Sequence, residues 1–240
     1  RSTLGVDTAK IRERVIIAPW WVPTIFPGMD AAFVNVCESV QVWDVSYEGQ
    51  EITYIKTGIG APMVMDMVLV LGVTACKKAV FIGSVGALDP GINIGDIVVP
   101  EYSVCGDGAS RYLQAGSLKD NDVFGGRVYP DREMFDRLRN AAEEIGGRHD
   151  VRVHIGRNYS TDTIFAQFAH LDEIMGTGCN VIEMETAAAF RAAETAGIAL
   201  GALFSVSDNA LTEKSLLSGR TDADMEYRKR VRQELFPPII

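Results

Sequence analysis

The chain has 240 residues, of which 47% are hydrophobic and 23% charged, and its formal net charge is −9. This length and composition predict one soluble domain over residues 1–240 with a single hydrophobic core. The negative charge argues against nucleic acid or an anionic membrane as the partner, because both would repel the chain at long range, and it favours a small molecule.

The four cysteines lie far apart and form no Cys-x-x-Cys pair. This spacing predicts reduced thiols in a cytoplasmic protein rather than a disulfide framework. No run approaches the ~18 consecutive apolar residues of a membrane-spanning helix, so we expect none. The three histidines, His149, His154 and His170, lack metal-ligand spacing, and we expect no metal site.

Short apolar runs alternate along the chain with segments of helical spacing. The predicted strands are Val15–Ala18, Ile52–Lys56, Ala79–Ile82, Ile97–Val99, Val151–Ile155, Asn180–Ile182 and Leu200–Val206. The predicted helices are Pro62–Leu71, Arg132–Ile145, Phe165–Met175, Glu185–Ala196 and Asp222–Leu235. This alternation predicts an α/β fold, a single-domain three-layer sandwich whose central mixed, mostly parallel β-sheet is flanked by helices.

Two segments stand apart from this alternation. Gly106–Gly126 is rich in Gly, Asp and Ser, and we expect it to form a long functional loop or lid. Asp222–Arg232 is densely charged and predicts a solvated helix.

A glycine-rich turn follows the apolar strand within Phe81–Leu88. Gly83 and Gly86 would let backbone N–H groups face an anion without a side chain in the way, and Ser84 adds a hydroxyl donor. The pattern fits a phosphate cradle, although by itself it is more typical of a tight turn after a buried strand. It matches neither a Walker loop nor a dinucleotide fingerprint.

Two carboxylates flank a thioether in Glu183-Met184-Glu185, between an apolar strand and an alanine-rich helix. Ligands gather at the carboxyl ends of parallel strands. Carboxylates accept hydrogen bonds from vicinal hydroxyls, and methionine offers an adaptable apolar face to a sugar ring. The pattern fits a sugar site and, equally, a helix N-terminus stabilised by acidic residues.

Two further predicted strands are followed by residues that could take part in a reaction or bind a ligand. Asp208 is a candidate general acid if its surroundings raise its pKa towards neutrality, whereas Ser207 or Asp208 could instead cap the next turn. Phe165 follows the predicted strand Val151–Ile155 and could stack on a planar base or pack in the core.

The order of these motifs resembles the hexameric-type nucleoside phosphorylases and the related uridine phosphorylases and nucleosidases. Thr57-Gly58-Ile59-Gly60 is similar to that family's first glycine loop, and Gly83–Gly86 with Gly95–Pro100 to its phosphate-loop region. Glu183-Met184-Glu185 is similar to its ribose-binding motif, and Ser207-Asp208 to its purine-site pair.

This resemblance, which spans residues 51–211, implies a role for each matching residue. Glu185 would bind the ribose hydroxyls, and Asp208 would protonate the purine as the glycosidic bond breaks. The other implied substrate-binding residues are Ser84, Val85, Gly86, Ile164, Phe165, Glu183, Met184 and Ser207. Gly83 and Ser84, with the adjacent backbone, would hold phosphate. Of the two neighbours Ile164 and Phe165, Ile164 aligns better with the family's stacking phenylalanine.

The chain also departs from the family pattern. The arginine that usually precedes the Gly-Ser loop is replaced by Phe81, and the loop Pro19–Pro23 after the first strand has no arginine either. The same loop lacks the glutamate that family nucleosidases use to activate water. The Asp107–Ser110 stretch resembles the phosphorylase branch and favours phosphorolysis, with Arg111 as a substitute cation.

The resemblance therefore implies cleavage of the N-glycosidic bond of a nucleoside to free base and ribose 1-phosphate. A purine is favoured, because uridine phosphorylases carry a Gln-x-Arg pair where this chain has Gln167-Phe168-Ala169. Inorganic phosphate would be the cosubstrate, with no further cofactor, and the chain would form a homo-oligomer, a dimer or a trimer of dimers. The alternatives are a hydrolytic nucleosidase, a uridine phosphorylase and a non-catalytic nucleoside-binding or storage protein.

Overall fold

The computed structural model describes residues 5–35, 40–114, 117–118, 122–212, 214–216 and 219–240. The strands are β1 (Arg14–Ala18), β2 (Asp30–Phe33), β3 (Gln41–Tyr47), β4 (Gln50–Lys56), β5 (Lys78–Ala87), β6 (Ile97–Gly106), β7 (Arg127–Val128), β8 (Val153–Thr161), β9 (Val181–Glu183) and β10 (Ala199–Asn209). The α-helices are α1 (Ala61–Leu71), α2 (Arg132–Arg148), α3 (Leu171–Gly176), α4 (Thr186–Ala196) and α5 (Asp222–Ile239). Short 3₁₀ turns span Thr8–Lys10, Pro23–Ile25, Ser110–Leu113 and Ala166–His170.

The strands form one mixed sheet in the order β10-β6-β8-β9-β5-β1-β4-β3-β2. Parallel pairs join β4 to β1, β1 to β5, and β5 to β10, and a second parallel group joins β6, β8 and β9. Because β10 pairs with both β5 and β6, the five strands β5, β10, β6, β8 and β9 close into a ring. The ring brings the carboxyl ends of β5, β8, β9 and β10 together.

Helices cover both faces of the sheet. Apolar residues of α1 and α4 pack in one core with β1 and β5, and those of α2 and α5 pack in a second core on the opposite face. Gly201 allows α2 to approach β10 closely, since a Cβ there would lie 2.7 Å from Leu138. The predicted α/β fold with a central mixed sheet and flanking helices is confirmed.

Several observed strand and helix boundaries differ from those that the hydrophobic pattern predicts. Strands β5, β6 and β10 extend past their predicted ends into the polar residues that follow, and the helix predicted over Phe165–Met175 is a 3₁₀ turn followed by the short α3. Strands β2, β3 and β7 were not predicted. β3 mixes buried apolar residues with half-buried polar ones, so it has no long continuous apolar run.

Other sequence-based expectations fall partly outside the described residues. Of the segment Gly106–Gly126, residues 115–116 and 119–121 are not described, and the described part contains the 3₁₀ turn Ser110–Leu113. Cys76, Cys105 and Cys179 are buried free thiols, whereas Cys37 lies outside the described residues. Among the described residues, no helix combines the length and apolar content needed to cross a bilayer.

Candidate active site

A cavity opens where the carboxyl ends of β5, β8, β9 and β10 meet. Its lining includes eight residues that the sequence singled out: Ser84, Gly86, Ile164, Glu183, Met184, Glu185, Ser207 and Asp208. The lining also includes eleven others: Pro19, Trp20, Ile59, Thr161, Gln167, Phe168, Ile182, Ala210, Leu216, Arg220 and Arg228. The motifs that are separated in sequence thus converge in one cavity.

The pairing of β5 with β10 places Asp208 beside the glycine-rich turn. The register shifts between Val206 and Asp208, so that Asp208 lies opposite Gly86. A Cβ at Gly86 would lie 3.5 Å from Asp208 Oδ2. The missing side chain at Gly86 therefore keeps this face of the carboxyl group open to the cavity.

The carboxyl group of Glu183 is held by four hydrogen bonds. Asn158 Nδ2 and Ser160 Oγ donate to Oε1 at 2.7 and 2.5 Å, and the backbone N–H groups of Glu185 and Thr186 donate to Oε2 at 2.7 and 2.8 Å. Burial raises the pKa of Glu183, while these donors act in the opposite direction. Because both oxygens already have protein partners, Glu183 fixes the junction between β9 and α4.

A buried polar network extends from Glu183 towards β6. Ser160 Oγ also accepts a hydrogen bond from the N–H of Ala187 at 2.9 Å and lies 3.0 Å from Ser103 Oγ, which accepts from Asn158 Nδ2 at 3.0 Å. Asn158 Oδ1 is a buried atom of this network that has no hydrogen-bond partner among the described residues. The network ties the start of α4 to β6 and β8.

Glu185 is bonded differently. Its Oε1 accepts a hydrogen bond of 2.6 Å from the N–H of Gly60, which precedes α1 and has a φ of 105° that favours glycine. Burial, followed by the neighbouring charge of Glu183, raises the pKa of Glu185 to about 8. The bond joins the first glycine loop to the Glu-Met-Glu motif and holds the Glu185 carboxyl group in the cavity wall.

Ser207 bridges Asp208 and the backbone of β5. Its Oγ lies 2.6 Å from Asp208 Oδ1 and 3.1 Å from the carbonyl oxygen of Val85. A hydroxyl has one hydrogen, so Asp208 Oδ1 and the Val85 carbonyl oxygen share the Ser207 donor. Burial raises the pKa of Asp208, while the hydrogen bond from Ser207 and the charge of Arg220 act in the opposite direction. Asp208 is thus a candidate proton donor to a ligand in the cavity.

Arg228 brings a cation to the glycine-rich turn. It lies on α5, whose first turn is fixed by a reciprocal capping box between Thr221 and Asp224. Arg228 Nη2 donates a hydrogen bond to Ser84 Oγ at 2.6 Å, and Arg228 is only 8% exposed. Arg220 also lines the cavity, with its Nη1 3.5 Å from the carbonyl oxygen of Ser207.

Arg228 was missed because the high charge density of Asp222–Arg232 predicted a solvated helix. Most of that segment is exposed, as predicted. A signal was nevertheless present, because Arg228, Val231 and Leu235 follow helical spacing and share the buried face of α5.

Four predicted site residues do not line the cavity: Gly83, Val85, Phe165 and Arg111. Gly83 and Val85 are buried in β5 beside it, and Val85 contributes through its carbonyl oxygen. Phe165 is 69% exposed, and the hydrophobic side chains that line the cavity nearby are Ile164 and Phe168. Phe165 therefore lies outside the cavity lining in this structure, and its stacking role stays a prediction.

Arg111 is also not placed beside Ser84. It lies on the 3₁₀ turn Ser110–Leu113, forms an ion pair of 3.6 Å with Asp122, and lines a separate cavity next to α1. The position of the missing family arginine, Phe81, is fully buried and packs edge-on against Phe204. A cation beside Ser84 comes from α5 instead.

A family model described as the phosphorylase superfamily matches residues 25–234. The chain belongs to this superfamily. The match confirms the resemblance drawn from the order of the motifs.

Relatives from the superfamily differ in their substrates. A uridine phosphorylase from Thermococcus kodakarensis is 28% identical over 204 residues, which cover 78% of this chain and 68% of the relative. A DeoD-type purine nucleoside phosphorylase from Geobacillus kaustophilus is 24% identical over 219 residues, covering 87% of this chain and 86% of the relative.

Solved structures share the fold. A uridine phosphorylase from Vibrio fischeri superimposes with a TM-score of 0.78 at 19% identity, covering 98% of this chain and 93% of that one. A purine nucleoside phosphorylase from Toxoplasma gondii in complex with immucillin-H gives 0.77 at 20% identity, with coverages of 98% and 92%.

Proposed function

We propose that this protein is a nucleoside phosphorylase that cleaves the N-glycosidic bond of a purine nucleoside with inorganic phosphate. The observation that carries this proposal is a single cavity lined by Glu185, Asp208 and Ser84. The carboxyl group of Glu185 accepts hydrogen bonds from sugar hydroxyls, Asp208 donates a proton to the base, and Ser84 contacts phosphate. No further cofactor is needed for this reaction.

The chemistry follows from the charge that develops as the bond breaks. A phosphate oxygen forms a bond to C1′ of the ribose while the C1′–N bond breaks and its electron pair moves to the purine. Asp208 gives its proton to the purine, which leaves as a neutral base, and ribose 1-phosphate remains. Asp208 regains a proton from water. Met184 packs on the sugar, and the oxygens of the Glu185 carboxyl group carry partial negative charge that stabilises the positive charge developing on it.

Asp208, whose pKa is raised by burial, is the reason for choosing a purine, because a purine ring nitrogen can accept a proton from this carboxyl group. A second candidate substrate is uridine, and Gln167 is the observation that favours it. Gln167 lines the cavity, is 9% exposed, and has an Oε1 atom without a hydrogen-bond partner among the described residues. A side-chain amide can pair with the edge of a pyrimidine, although the arginine of the uridine phosphorylase pair is replaced by Ala169.

Base release decides between these functions. The protein is incubated with inosine, adenosine or uridine, with and without phosphate, and the free base and ribose 1-phosphate are separated by chromatography. We expect phosphate-dependent release from inosine or adenosine. Release without phosphate would identify a hydrolytic nucleosidase, and release from uridine alone would identify a uridine phosphorylase. Nucleoside binding without any turnover would identify a binding or storage protein.

Two variants show whether the cavity performs the reaction. Glu185→Ala and Asp208→Ala should each abolish most of the base release. Glu194→Gln is the matched control, because Glu194 is exposed on α4, the helix that follows Glu185, and lies outside the cavity lining. Equal activity in all three variants would refute the assignment of the site.

We further propose that the chain works in the cytoplasm as a homo-oligomer, a dimer or a trimer of dimers. Light scattering after size-exclusion chromatography gives the mass of the particle in solution. A monomer at micromolar concentration would contradict this assembly.

A further inference from the structure

Arg228 is a buried cation in contact with the glycine-rich turn. It is more than nine-tenths buried, lines the cavity, and reaches Ser84 from a helix that is 144 residues away along the chain. Ser84 lies near the carboxyl end of β5, where ligands of parallel sheets gather. The guanidinium group is therefore positioned at the ligand-binding edge of the sheet.

The charge of Arg228 lacks an anionic partner within the described part of the chain. None of the ion pairs found there includes Arg228, and its Nε has no hydrogen-bond partner. The acid that acts on it electrostatically is Asp208, whose own burial favours the neutral form. Burial of an unpaired charge destabilises the folded chain, so an anion bound from solution would offset this destabilisation.

Neighbouring arginines add positive charge around Arg228. Burial, followed by the charges of Arg232 and Arg220, lowers the pKa of Arg228 to about 10, so Arg228 remains charged at neutral pH. Arg232 is engaged elsewhere, with its guanidinium carbon 5.1 Å from the centre of the Trp21 ring. Arg220 and Arg228 thus place two cations in the lining of one cavity, in a chain whose net charge is −9.

We propose that Arg228 is the residue that holds inorganic phosphate beside Ser84, in place of the arginines that the sheet and the first loop lack. This proposal rests on the proposed phosphorolysis. The guanidinium group offers paired N–H donors that match phosphate oxygens, and the Ser84 hydroxyl that it already contacts offers a third donor. A helix at the end of the chain therefore supplies the charge, while the sheet supplies the hydroxyl and the glycines.

Steady-state kinetics with phosphate as the varied substrate tests this role. Arg228→Met keeps an extended side chain and removes the charge. We expect the KM for phosphate to rise about 30-fold or more, while the KM for the nucleoside changes by about twofold or less. Arg228→Lys keeps the buried charge but lacks the paired N–H donors of the guanidinium group, so it should raise the KM for phosphate by about fivefold. Arg230→Met is the matched control, an exposed arginine on the same helix.

A binding measurement separates this proposal from the proposed function. Phosphate added without nucleoside should raise the Tm of the wild-type protein and of Arg230→Met but not of Arg228→Met. An unchanged KM for phosphate in Arg228→Met, or in Arg228→Lys if the first variant does not fold, would overturn the role of Arg228. If the wild-type protein releases no base, the proposed function fails, and the Tm series still decides whether Arg228 binds phosphate. A Tm rise that persists without Arg228 would overturn the proposal in either case.

Discussion

Replacing Glu185 with Gln should make the protein more stable while it removes activity. The glutamine retains the shape of the side chain, and its amide oxygen can still accept the hydrogen bond from the N–H of Gly60. What the substitution removes is a carboxyl group whose pKa burial and Glu183 raise from 4.5 to about 8. The wild-type residue therefore makes stability depend on pH in a way that glutamine cannot.

The size and sign of the effect follow from this shift. Below pH 4.5 the Glu185 carboxyl group is protonated in both the folded and the unfolded chain, so its full contribution to stability is present. Between that pH and the folded pKa, only the unfolded chain releases the proton, and the free energy of unfolding falls by about 1.4 kcal/mol per pH unit. The loss reaches roughly 3 kcal/mol at pH 7 and levels off at roughly 5 kcal/mol above the folded pKa.

Urea denaturation at pH 5, 7 and 9, at one fixed protein concentration, measures this difference. The free energy of unfolding of Glu185→Gln should exceed that of the wild-type protein by an amount that grows as the pH rises. Glu194→Gln, which changes an exposed residue of α4, should have the wild-type free energy of unfolding at every pH. A Glu185→Gln variant that is less stable than wild type at pH 9, or whose advantage does not grow with pH, would refute the reasoning. The outcome would show that this site trades stability for function.

The other predictions concern the proton donor and the buried network. Asp208→Asn keeps the shape but not the proton, so kcat/KM for a purine nucleoside should fall at least about 100-fold, and equal base release by the variant would contradict its role. Because burial raises the pKa of Asp208, wild-type turnover should decline as the pH rises through that value, and the residual turnover of Asp208→Asn should lack this decline. Ser160→Ala leaves Glu183 Oε1 and the N–H of Ala187 short of a partner, so urea denaturation should show a loss of about 1–3 kcal/mol; unchanged stability would argue against the network.

The position of the site was predictable because it depends on strand ends. Apolar runs that stop at Ser84, Glu183 and Asp208 lie close to the carboxyl ends of β5, β9 and β10. The parallel pairing of β5 with β10 and the antiparallel pairing of β5 with β9 bring these residues together. Local pattern was enough for this inference, and the order of the motifs along the chain made it specific to one family.

The partners of those residues were not predictable in the same way. Glu183 was expected only to line the sugar pocket, but its oxygens are occupied by donors from β8 and from the start of α4. Arg228 is buried, although the charge density of the segment in which it lies predicts solvent exposure. Both outcomes depend on which distant elements pack together, and hydrophobic periodicity carries little information about that.

The hydrogen bond between Gly60 and Glu185 joins residues that are 125 positions apart. The entropic cost of closing a loop of this length must be offset by many other contacts, so we expect the bond to persist only after α1 and α4 have packed together on the sheet. The sugar end of the cavity should therefore form late in folding. A chain that has regained its secondary structure but not this long-range contact would not yet recognise a nucleoside, and the return of ligand binding would report on completed folding more faithfully than the return of helix content.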